Sequence, residues 1–143
     1  MGDTLDKILA NASSGMSAQS IRMNTIASNL SNAGSLGSSN ETTYHKKYPI
    51  FSEVTQAQMG LSDQDQAIGG VRVSEIKKST KELDKQYQPN SPMANAQGYV
   101  YLTDVNPIEE MTNMISASKE YEANVELMNT TKGLMQQLMN TLK

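Results

Sequence analysis

The chain holds one histidine, His45, in the run Tyr44-His45-Lys46-Lys47. An imidazole can ligate a metal or accept a proton. Metal sites draw on further His or Cys ligands, and base catalysis needs a nucleophile and an orienting acid close by. Neither stands near His45 in sequence, and the chain has no cysteine. His45 therefore reads as an exposed polar residue of a loop, with no catalytic or metal role. Asp63-Gln64-Asp65 opens like a calcium loop, but the required glycine and closing glutamate are missing, which leaves solvated acids. Gly69-Gly70 lacks the Gly-x-x-x-x-Gly-Lys run and the helix start of a phosphate loop, and reads as a turn. No catalytic residue, cofactor-binding residue or metal ligand is expected, and no enzyme.

The other side chains with binding potential are apolar. Ten methionines occur, and Met111, Met114, Met128, Met135 and Met139 fall at helical spacing within one segment. A methionine stripe is more often core than binding face, and the flexible thioether suits either. The two meanings merge if the core forms between chains.

Two helical arms must carry these residues. From Leu5 to Leu30 the series Leu5, Leu9, Ala12, Met16, Gln19, Met23, Ile26, Leu30 steps by alternating fours and threes, the seam of a coiled coil with one polar member, Gln19. Asp3 is the expected N-cap. Asn32-Ala33-Gly34 is the expected stop, because Asn and Gly tolerate the left-handed conformation that ends helices. The second arm opens on Asn106-Pro107-Ile108-Glu109: an N-cap, a proline whose missing N–H has no helical partner anyway, and glutamates at the positive end of the helix dipole. Met111, Met114, Ser118, Tyr121, Val125, Met128, Lys132, Met135, Met139 and Leu142 then repeat the alternation. Ile108, Ile115, Leu127, Leu134 and Leu138 widen the stripe. A helix from Pro107 to Leu142 would be roughly 54 Å long.

Between the arms lies a Gly/Ser-rich loop, Gly34 to Asn40, then three short strand candidates. Tyr48–Val54 carries Pro49 and so belongs at a sheet edge. Val71–Ile76 follows Gly69-Gly70, and Tyr99–Leu102 follows Gly98. Gln88-Pro89-Asn90-Ser91-Pro92 is turn chemistry. Six of the seven aromatics, all but Tyr121, fall in this middle, which points to a small aromatic-containing module. The fold class expected is mainly α with a small β-rich middle: long N- and C-terminal helices packing as a coiled coil, with short strands and loops inserted. The divisions expected are 1–33, 34–105 and 106–143.

A formal net charge of −3 and no Lys/Arg run beyond two argue against nucleic acid. No apolar segment is long enough to span a bilayer, so the chain is not expected to be membrane-embedded. The acidic start, Met1 to Asp6, is unlike a secretory signal peptide. Long helices draw most of their stability from packing, and two arms packed on each other hide only one stripe each. The remaining apolar strip must meet other chains.

The segment Ala27-Ser28-Asn29-Leu30-Ser31-Asn32-Ala33 closely resembles the Ala-x-Asn-Leu-Ala-Asn signature of flagellar rod and hook axial proteins, with Ser31 where alanine is usual. The run from Asn106 to Glu126 resembles the proximal-rod family within that superfamily. So do Gly98-Tyr99-Val100-Tyr101, the segment Tyr44 to Phe51 and Gly70-Val71-Arg72-Val73. The likeness covers the chain from about Gly15 onward, except 34–43. It implies a structural subunit of the flagellar basal body, exported by the flagellum's own type III apparatus without a cleaved signal peptide. The terminal helices would form the inner wall of the rod, with the middle outside. Implied partners are copies of itself, the other rod proteins and the adaptor between export gate and rod, and no cofactor is implied. The expected assembly interface is Leu9, Met16, Met23, Ile26, Asn29, Leu30 and Asn32 in the first arm, with Met111, Met114, Tyr121, Val125, Met128, Met135, Met139 and Leu142 in the second. The competing readings are another small rod subunit and a cytoplasmic helical adaptor or secretion chaperone.

Overall fold

The structure, a computed structural model, describes residues 2–55 and 67–141. Asp63-Gln64-Asp65 and Leu142 lie outside the described residues. The elements are α1 (Gly2–Ser31), β1 (Leu36–Gly37), β2 (Lys47–Thr55), β3 (Ala67–Lys78), β4 (Lys85–Tyr87), β5 (Tyr99–Leu102) and α2 (Pro107–Thr141). Two long helices at the ends of the chain and small antiparallel sheets between them match the coarser expectation, a mainly α fold with a small β middle.

The helices lie side by side and antiparallel. Gly15 sits against Asn124, Arg22 meets Glu120 at 3.4 Å, and Asn29 meets Glu110 at 2.7 Å. On α1 the inward residues Gly15, Arg22 and Asn29 are seven apart. On α2 they are Glu110, Ala117, Asn124 and Thr131, again at sevens, and Glu110, Ala117 and Thr131 are buried. This stripe is small or polar. Of the apolar seam read on α1, Ala12 and Ile26 are buried within the chain, while Leu9, Met16, Met23 and Leu30 are half-buried beside the stripe.

Glycine inside a helix weakens it by about 0.5–1 kcal/mol relative to alanine, so Gly15 needs a reason. A Cβ placed there would stand 2.9 Å from the Asn124 amide nitrogen, whose side chain is held by a 2.9 Å bond to the Glu120 carbonyl. Gly15 therefore sets how closely the helices approach. Replacing it with leucine should force them apart and cost about 1–3 kcal/mol, as overpacking does. Thermal melting of the two chains by circular dichroism checks this; an unchanged midpoint would show that the contact is slack.

The ends of the helices differ in how far the sequence anticipated them. At α2, Asn106 Oδ1 accepts from the backbone N–H groups of Ile108 at 3.0 Å and Glu109 at 3.4 Å, the expected cap. Asp3 does not cap α1, because the helix already includes Gly2. Nor does α1 end on a left-handed residue: Asn32, Ala33 and Gly34 all keep negative φ. The chain instead tightens through Asn32 N–H to Asn29 O and Ala33 N–H to Leu30 O, while Asn32 Nδ2 and Ser31 Oγ bond back to the carbonyls of Ser28 and Ala27. These side chains satisfy the last-turn acceptors without a special backbone conformation.

The middle forms two sheets. One has the order β1-β5-β4, pairing Leu36 with Leu102 and Gln86 with Val100; the other pairs β2 with β3 from Lys47/Lys78 to Thr55/Ala67. β1 falls in the expected Gly/Ser-rich loop and β4 is not among the expected strands, since strands of two and three residues carry no periodicity. The aromatics are not the core. Tyr48, Phe51, Tyr87 and Tyr99 are exposed, and among the described residues the buried side chains of the middle are Thr43, Leu83, Val100 and Val105. Gly69 and Gly70 are not a turn either. They lie within β3 at φ 79° and 107°, where it crosses α1, and a Cβ on Gly69 would strike Asn11. Val71 N–H then donates to Ser14 Oγ at 3.1 Å, fastening β3 to the helix.

The joint between the arms and the candidate assembly face

The segment 44–47 is strung between both helices and both strands of the longer pair. Asn29 uses every hydrogen-bonding site it has: Nδ2 donates to Lys47 O (2.8 Å) and Glu110 Oε2 (2.7 Å), and Oδ1 accepts from Lys47 N–H and Tyr44 OH (2.9 Å each). Glu110 Oε1 accepts from Asn113 Nδ2 at 3.2 Å and Lys46 Nζ at 3.0 Å; Lys46 Nζ also meets Glu109 at 2.6 Å. Lys46 N–H donates to Asp104 at 2.6 Å, and Ser79 N–H to Lys46 O at 2.7 Å. Both Asn29 and Glu110 are only 1% exposed. The end of α1, the start of β2, the end of β3 and the start of α2 thus meet in one polar joint.

Its electrostatics follow from that enclosure. Burial pushes the Glu110 carboxyl up, but hydrogen bonds from Asn29, Lys46 and Asn113 and the Lys46 charge outweigh it and hold the group below its ordinary value. Burial likewise lowers Lys46, and its bonds to Glu109 and Glu110 reverse this and raise it. Asp104 is also held low: burial is overcome by the Ser79 side chain and the Lys46 and Asp104 backbone N–H groups, aided by the charge of His45. A buried carboxylate with all partners in place is costly to disturb but does no chemistry here. Among the described residues no group of His, Cys, Asp and Glu could hold a metal, and no helix is long and apolar enough to cross a membrane.

His45 differs from the expectation of an exposed loop residue. It is half-buried, and Nε2 lies 2.7 Å from Asn40 O, which as a carbonyl accepts its proton. Nδ1 is buried with no partner among the described residues. Asn40 in turn accepts from Leu83 N–H, so His45 helps pin the loop below the small sheet.

The apolar seams take their place from the helix contact. Leu9, Met16, Met23 and Leu30 each follow by one position the row Ile8, Gly15, Arg22, Asn29, and so stand about a quarter turn round α1 from the contact. Met111, Ser118, Val125 and Lys132 follow Glu110, Ala117, Asn124 and Thr131 in the same way on α2. Because the helices are antiparallel, the same sense of rotation brings both rows to one side of the pair. Met114, Tyr121, Met128 and Met135 stand between that row and the contact. The β2–β3 pair occupies the other side of α1, where Ser14 holds Val71 and a shallow cleft is lined jointly by Ile21 of α1 and by Lys47 and Ile76 of the strands.

Of the residues expected at an interface, Met111 and Met139 are exposed, and Leu9, Met16, Met23, Leu30, Asn32, Met114, Tyr121, Val125, Met128 and Met135 are half-buried. Ile26 and Asn29 are instead buried within the chain, Asn29 in the joint. The joint's other members, Lys46 and Glu110, were not anticipated. Glu110 was read only as a complement to the helix dipole, because its partner Asn29 is 81 residues away.

Residues 9–34 match the family described as flagella basal body rod protein, and residues 96–141 that described as flagellar basal body rod FlgEFG protein C-terminal. These segments are essentially the two arms, and they define the class: an axial subunit of the flagellar rod type. The flagellar basal-body rod protein FlgC of Yersinia enterocolitica is 44% identical over 124 residues, covering 87% of each chain; that of Salmonella typhimurium is 40% identical over the same shares. The FlgC protein of Bacillus subtilis is 33% identical over 135 residues, covering 87% of this chain and 89% of its own. The chain belongs to the FlgC family of flagellar basal-body rod proteins, structural subunits rather than enzymes.

Proposed function

We propose that this chain polymerises into the proximal part of the rod, the drive shaft of the flagellum, through the face on which the two apolar seams converge. The observation that carries this reading is that placement. Both seams lie on the side of the helix pair away from the β2–β3 strands, so the strands can sit outside while the seams meet neighbouring subunits. The coiled-coil packing encoded by the seams then belongs to contacts between subunits. The three divisions 1–33, 34–105 and 106–143 act as inner arm, outer module and inner arm. The family likeness supports partners among the rod proteins and the adaptor at the export gate, and passage through the type III export apparatus without a cleaved signal.

The test is recovery of the protein from purified basal bodies after the membranes and cytoplasm are removed. It should co-purify with rings and rod at constant ratio. A chain found only in the soluble cytoplasmic fraction, bound to other rod proteins, would be an export chaperone and would overturn the reading.

A further inference from the structure

One border of the small sheet is open. In the order β1-β5-β4, β4 is an edge strand, and Lys85, Gln86 and Tyr87 are all exposed. Its pairing with β5 fixes which backbone groups are free. Leu102 N–H donates to Asp84 O and Gln88 N–H to Gly98 O, 2.9 Å each. In an antiparallel ladder alternate residue pairs exchange hydrogen bonds, so Asp84, Gln86 and Gln88 turn their N–H and C=O toward β5. Lys85 and Tyr87, in register with Tyr101 and Tyr99, turn theirs outward, where they find no partner among the described residues.

An edge of this kind can template a further strand, and proteins ordinarily blunt it with proline, bulges or a covering element. β2 has the first two: it carries Pro49 and two breaks of register against β3. β4 has neither. Lys85 does not guard the edge, because its Nζ lies over the Tyr99 ring, 5.6 Å from the centroid, on the face of the sheet. Tyr87 stands on that same face, edge-on to Tyr99 with ring centroids 5.2 Å apart, and a Cβ on Gly98 would come 2.8 Å from its ring. Beside the open edge the sheet thus presents a fixed aromatic ring and a cation without an ion pair among the described residues.

We infer that β4 is a strand-addition site. An extended segment of a partner protein pairs antiparallel with Lys85–Tyr87, placing a carboxylate opposite Lys85 and an aromatic or β-branched side chain opposite Tyr87. The outward backbone groups select a peptide as the ligand. They alternate donor and acceptor at the spacing of a strand, and another extended backbone meets both N–H and both C=O groups at once. Side chains choose its sequence, because residues directly opposite share a face and touch. The strand is short, so the backbone sets the register and the Lys85 and Tyr87 pairs supply discrimination. This surface is separate from the helix seams and does not depend on how they pack.

The probe is the blocked pentapeptide acetyl-Thr-Val-Thr-Glu-Thr-amide, whose valine falls opposite Tyr87 and whose glutamate falls opposite Lys85. It is added to the isotope-labelled full chain, and amide hydrogen exchange is followed by NMR. At saturation the Lys85 and Tyr87 N–H groups should exchange about tenfold more slowly, while Gln86, already bonded to β5, changes little. Methylating the peptide nitrogens of valine and glutamate, which face β4, should abolish this protection. Methylating the central threonine, whose nitrogen faces away, should not. Lysine in place of the peptide's glutamate should weaken binding about threefold. On the protein, Lys85→Pro removes an outward N–H that the fold does not use. It should bind the peptide about threefold more weakly than Lys85→Ala, at an unchanged melting midpoint. Unprotected Lys85 and Tyr87 amides at the highest soluble peptide concentration would overturn the inference, as would protection insensitive to which nitrogen is methylated. Shifts confined to the tyrosine rings would put the ligand on the face of the sheet and overturn it too, and so would equal binding by Lys85→Pro and Lys85→Ala.

Discussion

Replacing Met128 with glutamate is expected to abolish hook and filament growth while leaving the free chain folded and present at normal levels. Met128 is half-buried, between the helix contact and the outer row of the methionine seam. In the single chain water still reaches this position, so a carboxylate there keeps its hydration and disturbs little. Packed against a neighbouring subunit, the same carboxylate loses its water and gains no partner, and an uncompensated buried charge costs several kcal/mol. Since about 1.4 kcal/mol is tenfold in an equilibrium constant, docking should fall by several orders of magnitude. Met128→Leu, which nearly conserves volume, should swim as the parent does. The measurements are swim-ring diameter, filament counts and the circular dichroism of the purified variant. Normal flagella in the Met128→Glu strain would show that the seam is not buried in the rod.

The second large effect is expected at the joint. Glu110→Ala removes the acceptor for one Asn29 N–H and for Asn113, and one of two carboxylates around Lys46. Lys46 keeps Glu109 at 2.6 Å, so the main loss is the buried Asn29 donor, left without a partner at about 1–3 kcal/mol. Because this joint ties both helices to the strands, the loss should appear as a lower melting midpoint for the whole chain. Glu110→Gln keeps an acceptor for Asn29 and should lose less. The pH dependence has a definite sign. Glu110 is held below its ordinary value, so its contribution is complete above the usual carboxylate range and disappears as pH falls through its folded value. Lys46 is raised, so its share is complete below the ordinary lysine value and is lost as pH rises through its folded value. The parent should therefore lose midpoint on acidification below about pH 4.3 by more than Glu110→Gln does. Parallel acid profiles for the two would show that the Glu110 charge contributes nothing.

Sequence alone determined those features whose causes are local. Asn106 and Pro107 start α2 because a side-chain acceptor and a ring-fixed φ act within one turn. The three-four spacing of Leu9, Met16 and Met23, and of Met114, Tyr121 and Met128, needs only helix geometry to become a stripe. The motifs around Asn29, Lys46 and Glu110 could be read as family marks before any of their contacts were known. What only the tertiary structure decided concerns pairs distant along the chain. Gly15 is explained by Asn124, Gly69 by Asn11, and β1 exists as a strand only because β5 supplies its partners. Glu110 looks like a solvated first-turn glutamate until Asn29 closes over it. The inward stripe of α2 was invisible for the same reason: Glu110, Ala117, Asn124 and Thr131 are too polar or too small to register as apolar periodicity. The close approach that Gly15 permits leaves Leu9, Met16, Met23 and Leu30 on the flank, where another subunit can reach them.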